Sequence, residues 1–148
     1  MDKRILICLI AIVVIAVGLV AFFNASPKDT VDVGDLSFKL PEGYHETTRS
    51  ENGFWTISDG DDAIFLDYYN DSDAYKHVDY EVKKIENAHG TLDVSNFTVN
   101  DTTVYNTLYL SSVSQYWFAK DGKVYNIYTW NTNDKLESDM RDLISSVC

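Results

Sequence analysis

The chain has 148 residues, with 12 Lys and Arg against 23 Asp and Glu and a net charge of −11. So acidic a chain disfavours nucleic acid and anionic lipid as partners and favours cations or basic proteins. Its two cysteines, Cys8 and Cys148, lie too far apart in kind and place to form an internal disulfide framework.

The first element is Ile5 to Phe23, ILICLIAIVVIAVGLVAFF, a run without charge, amide or hydroxyl. As a helix it rises roughly 28 Å, close to the ~30 Å hydrocarbon core of a bilayer. Lys3 and Arg4 precede it, which predicts a cytoplasmic N-terminus and an external C-terminal part. The expected organisation is a cytoplasmic head (1–4), a transmembrane anchor (5–23), a linker (24–30) and a single extracytoplasmic α+β domain (31–148). The alternative is a cleaved signal peptide and a secreted domain. Cleavage after Ala25 puts bulky Phe23 at −3, which fits a signal peptide poorly. A pilin-like subunit wants an acidic residue early in the helix, and none lies between Lys3 and Lys28.

Pro27 ends any helix before the domain. Val31, Val33, Leu36, Phe38 and Leu40 then read as one half-buried strand, closed by Pro41 and Gly43. Residues 45–51 read as polar loop. Phe54 to Ser58 and Ala63 to Asn70 read as strands around the turn Asp59-Gly60-Asp61-Asp62. Asp71 or Ser72 is expected to cap a helix with the stripe Tyr75, Val78, Val82, Ile85 and His89, and Gly90 to close it. Four strands follow: Thr91–Val99, Thr102–Leu110, Ser112–Lys120 and Lys123–Asn131. Asp121-Gly122 predicts a two-residue type I′ turn that pairs Trp117 with Asn126 and Phe118 with Tyr125. Asn100-Asp101 suggests a second tight turn. Asn133 caps a last helix with the stripe Leu136, Met140, Leu143, Ile144 and Val147.

After the anchor the expected order is β-β-β-α-β-β-β-β-α. Such a chain buries best as one antiparallel sheet with two packed helices, an α-β-α sandwich. The opening Phe38-Lys-Leu-Pro-Glu-Gly-Tyr44 resembles that of PsbP-like and DcrB-like domains, the Mog1/PsbP group. Tyr116 to Tyr125 is similar to their late hairpin. The resemblance implies an extracytoplasmic accessory domain, mostly without assigned enzyme activity, and brings no catalytic residues with it. This chain lacks the lipidated cysteine of the lipoprotein members.

The acidic loops are the chief chemical feature. Asp59, Asp61 and Asp62 share one turn, and Asp67, Asp71 and Asp73 flank the first helix. Oxygen-rich loops of this kind suit calcium, though neither matches an EF-hand, and turn formation or helix capping accounts for both clusters. His45, His77 and His89 lack the spacing of a zinc site. No nucleophile elbow, phosphate-binding loop or dinucleotide turn is present, so no catalytic set is legible and a hydrolase is the less favoured class. Asn24, Asn70, Asn96 and Asn100 open N-x-S/T sequons, candidates for glycosylation in an exported chain. Tyr68, Tyr69, Tyr105, Tyr109 and Trp130 are candidates to line a groove. The expected function is an acidic binding or interaction domain for another envelope protein. The alternative is a calcium- or small-ligand-binding envelope domain.

Overall fold

The structure, a computed structural model, describes residues 28–49 and 54–148. Nine strands and two helices follow one another: β1 (Thr30–Val33), β2 (Leu36–Lys39), β3 (His45–Arg49), β4 (Phe54–Ser58), β5 (Ala63–Tyr69), α1 (Ala74–Asn87), β6 (Leu92–Val99), β7 (Thr102–Tyr109), β8 (Val113–Lys120), β9 (Lys123–Thr129) and α2 (Asp134–Ser145). Seven strands form an antiparallel sheet in the order β3-β4-β5-β9-β8-β7-β6, and β1-β2 form a separate two-stranded sheet.

This overturns the expected fold class. Among the described residues the protein is dominated by strands, arranged in two sheets rather than one, and five strands precede α1 rather than three. Among the described residues no helix is long and apolar enough to cross a membrane. The expected anchor, Ile5–Phe23, lies outside those residues.

Two local causes explain the strand count. The expected strand from Val31 to Leu40 is a hairpin, because Gly34 adopts φ +60° and turns the chain so that Val33 pairs with Leu36. Gly34 also lies against Tyr125 and Tyr68, where a Cβ would sit at a tight 3.2 Å from each. His45–Arg49 is a strand although every residue in it is exposed. An edge strand with neither face buried has no apolar alternation to betray it.

The core is built on one face of the large sheet. Trp55 and Ile57 of β4, Ile64 and Leu66 of β5, Tyr125 and Ile127 of β9, and Tyr116 and Phe118 of β8 all point there. The β1-β2 hairpin supplies Val31, Val33 and Phe38, and α2 supplies Leu136, Met140, Leu143 and Ile144 to cover them. Tyr116 donates its buried hydroxyl to Glu137, which ties α2 to the sheet. Asn133 caps α2 by accepting the Leu136 N–H.

On the opposite face α1 lies over β6, β7 and β8. Ala74 and Val78, helped by Val82, pack on Trp117 and Val124. The cap of α1 is Asp73, not Asp71 or Ser72. His89, with φ 59°, takes the left-handed position expected of Gly90. Gly90 answers a different demand, since a Cβ there meets Ile85 Cγ2 at 2.9 Å.

Three hairpins of the large sheet turn on positive φ at two successive residues: Asn100-Asp101, Leu110-Ser111 and Asp121-Gly122. The first and third use residues that tolerate it. Leu110 and Ser111 do not, and Leu110 is largely exposed. Left-handed backbone costs a branched residue about 1–2 kcal/mol. Replacing the pair with Asn-Gly is therefore expected to raise unfolding free energy by about 1 kcal/mol in denaturant titration. An unchanged midpoint would count against a strained turn.

Candidate functional site

The sheet face that α1 leaves open is unusually aromatic. Phe54, Phe65, Tyr128 and Trp130 stand on it side by side. Phe65 stacks on Tyr128 with ring centroids 5.1 Å apart, and Trp130 meets Tyr128 edge-on at 6.0 Å. Phe54 lies 6.4 Å from Phe65. Trp130 is 59% exposed.

Between this patch and α1 runs a cleft of about 210 Å³. Two rows of cross-strand partners cross it. One is Asp67–Asn126–Trp117 and the other Phe65–Tyr128–Gln115. Glu81 and Lys84 of α1 form the far wall, linked by an ion pair at 3.1 Å. The alternation of β5, β8 and β9 dictates these rows, because every second residue of each strand points away from the core.

Asp67 sits half-buried there. Burial pushes its carboxyl up, and two donors oppose this by stabilising the anion. They are the Tyr69 hydroxyl at 3.0 Å and the Tyr68 N–H at 2.8 Å. Burial, with Asp67 beside it, pushes the Tyr69 hydroxyl above its ordinary value. Asn126 Nδ2 donates to Gln115 Oε1 at 3.4 Å. Asn126 Oδ1 and Trp117 Nε1 have no hydrogen-bond partner among the described residues.

His77 belongs to the same assembly. Its ring stacks on Trp117 at 5.5 Å and lies 4.7 Å from Tyr69, with Nε2 3.5 Å from Asp71 Oδ2. It is absent from the expected apolar stripe of Tyr75, Val78, Val82, Ile85 and His89. The aromatic ring under it draws it inward, a contact set by the docking of α1.

Of the groove candidates, Tyr69 and Trp130 line the cleft. Tyr68 lies on the core face beside Trp55 and Tyr125, and Tyr105 lies beneath Tyr75 of α1. Tyr109 lies beside Gly90.

The six candidate metal ligands separate into three places. Asp59 Oδ1 accepts the N–H groups of Asp61 and Asp62, and its Oδ2 accepts Lys135 Nζ at 2.8 Å. Lys135 also reaches Asp62 at 3.7 Å, Asp139 at 2.9 Å and the Tyr44 hydroxyl at 3.3 Å. The cation that this turn holds is thus the ammonium of α2. Asp71 accepts the Ser72 and Asp73 N–H groups and Lys76 Nζ, while Asp73 caps α1. Asp67 lies in the cleft. Among the described residues no group of three or more His, Cys, Asp or Glu side chains is placed to hold a metal ion. Of the sequons, Asn70 and Asn100 are exposed at a strand end and a turn, Asn96 is exposed within β6, and Asn24 lies outside the described residues.

The Lys135 and Lys76 hydrogen bonds, with backbone N–H groups, hold Asp59 and Asp71 at about 2, below the ordinary 3.8. A carboxylate with a depressed folded value stabilises the protein above its unfolded value and loses that contribution as pH falls. The melting midpoint is expected to fall between pH ~4 and ~2, and less steeply in high salt because the lysine of each pair is exposed. Lys135→Met is expected to reduce the Asp59 part of that fall, leaving the share held by the Asp61 and Asp62 N–H groups. An identical pH profile in the variant would show that the ion pair contributes nothing.

A larger concavity of about 640 Å³ lies along Lys28, Lys39 to His45 and Asp29. Its walls are mainly loop, and no orphaned polar atom belongs to its lining.

No family model matches the chain, and no curated protein matches it. The fold is similar to a crystal structure of a Bacteroides thetaiotaomicron VPI-5482 protein at 1.50 Å resolution, with TM-score 0.53 and 11% identity. That match covers 76% of this chain and 44% of the other, so this chain spans under half of that protein's length. At such identity the likeness is one of fold alone.

Proposed function

We propose that this is a single-pass membrane protein whose acidic external domain recognises another envelope component through the aromatic cleft. The observation that carries this reading is the uncovered row Phe54–Phe65–Tyr128–Trp130 beside Asp67 and Glu81. Aromatic side chains are enriched in recognition surfaces, and exposed apolar patches rimmed by polar groups mark binding sites. The uncharged run Ile5–Phe23 supports a membrane tether, with Lys3 and Arg4 inside. The similarity of Phe38–Tyr44 and Tyr116–Tyr125 to PsbP-like and DcrB-like domains supports an accessory, non-catalytic role.

A photo-activatable residue at Trp130 in the intact chain, irradiated in its membrane, tests the reading. The expected result is a discrete crosslinked band lost in Phe65→Ala. Crosslinking equal to that from an exposed position on α2, such as Ser138, would overturn it.

A further inference from the structure

We infer that the cleft receives one hydroxylated ring, a pyranose unit of a saccharide. This deepens the proposed recognition role and rests on that reading of the cleft. The floor decides the ligand chemistry. Trp117 Nε1–H is a donor without a partner, and Asn126 Oδ1 is an acceptor without one. The two side chains are only 4% and 5% exposed. Buried polar groups are ordinarily paired, because leaving one unpaired carries its full desolvation penalty.

Trp117 and Asn126 are cross-strand partners, so the unused donor and acceptor stand on neighbouring residues. A hydroxyl both donates and accepts, and adjacent ring hydroxyls satisfy the two together. An ammonium or guanidinium only donates and leaves the indole N–H unpaired. A carboxylate ligand meets Asp67 and Glu81. An apolar ligand pairs neither atom.

The walls suit the same ligand. Asp67 and Gln115 add hydrogen-bonding groups. Tyr128 and Trp130 stand at 87° to each other, and exposed Trp130 offers a flat surface to the C–H face of a sugar ring. The volume of about 210 Å³ falls below the ~300–1,000 Å³ of drug-sized sites, which limits the cleft to one ring. Both floor atoms are covered in the free protein. A ring that enters therefore displaces the side chains above them, and at the cleft wall the Lys84 side chain is already 58% exposed.

The test uses the full chain in a non-glycosidic detergent. The probes are methyl glucoside, galactoside, mannoside and N-acetylglucosaminide, with tetramethylammonium and methylguanidinium as cationic comparators. At least one glycoside is expected to change tryptophan fluorescence saturably, with a Kd on the order of 1 mM for a ligand of about a dozen heavy atoms. The same glycoside is expected to shift the Asn126 side-chain amide in NMR spectra. Trp130→Ala should weaken binding at least tenfold without moving the melting midpoint. Asn126→Leu should abolish it. Saturation by a cation but by no glycoside would overturn the inference, as would silence of every glycoside or binding unchanged in both variants. Silence of the glycosides with Trp130 crosslinking intact rejects the saccharide alone. Loss of both rejects the recognition site itself.

Discussion

Phe118→Ala is expected to lower unfolding free energy by about 3–5 kcal/mol, the usual cost of deleting a fully buried phenyl ring. Phe118 has no exposed surface and stacks on Tyr125 with centroids 5.5 Å apart. Its cross-strand neighbours Val104 and Tyr125 are also fully buried. The strands on both sides are held in register, so the cavity cannot close by a small shift. Against a typical total of 5–15 kcal/mol, the variant retains little margin. Thermal melting by near-ultraviolet circular dichroism checks it, with a midpoint fall of roughly 10–20 °C expected. A fall under about 3 °C would mean that the ring is not the centre of the core.

Val78→Asp is expected to detach α1 from the sheet. Val78 is 1% exposed and packs with Ala74 on Trp117 and Val124. Burying its side chain contributes on the order of 1.5–3 kcal/mol, and an unpaired carboxylate in its place adds a larger desolvation cost. The cheapest escape is for the helix to leave. A 14-residue helix is marginal in water without its docking face, so undocking melts it. Amide exchange should accelerate throughout Ala74–Asn87 while β8 and β9 remain protected. Trp117 emission should shift to the red as its cover is lost. The wall carrying Glu81 and Lys84 leaves with the helix, so recognition at the cleft should fail in the same variant. Retained protection in α1 would show that its hold on the sheet does not depend on this contact.

The two faces of the sheet carry different side chains. The core side carries large, fully buried rings beneath two layers of cover. The cleft side carries rings that are only partly covered, with polar groups between them. A surface substitution such as Trp130→Ala therefore touches recognition with little effect on folding, whereas Phe118→Ala does the reverse.

Much of the local structure was legible in the residues themselves. Asp121-Gly122 demands a type I′ turn, and the pairing of Trp117 with Asn126 and Phe118 with Tyr125 follows from it by counting. Asn133 and the Leu136–Met140–Leu143–Ile144 stripe mark α2 in the same way. These signals are short-ranged: a turn, a cap, a periodicity. Where an element depends on what lies alongside it, no local signal marks it. Leu110 and Ser111 take left-handed backbone without Asn-Gly chemistry, in a three-residue connection between the paired Tyr109 and Val113. The β1-β2 hairpin hides inside an alternation that continues through Gly34, and β3 has no apolar face at all.

The site shows the same division. Sequence alone determined an acidic chain, an apolar leading run, a Tyr- and Trp-rich strand region and clusters of aspartates in turns. Only the tertiary structure decided which aspartate meets which cation, since Lys135 and Asp59 are 76 residues apart in the chain. Only it decided that Asp67, Asn126 and Trp117, from three strands, form one row that runs up to one helix. Periodicity says that a side chain points to one face or the other. Which face is covered, and how far the cover extends, depends on strand order and helix docking, and these are set by contacts distant in sequence.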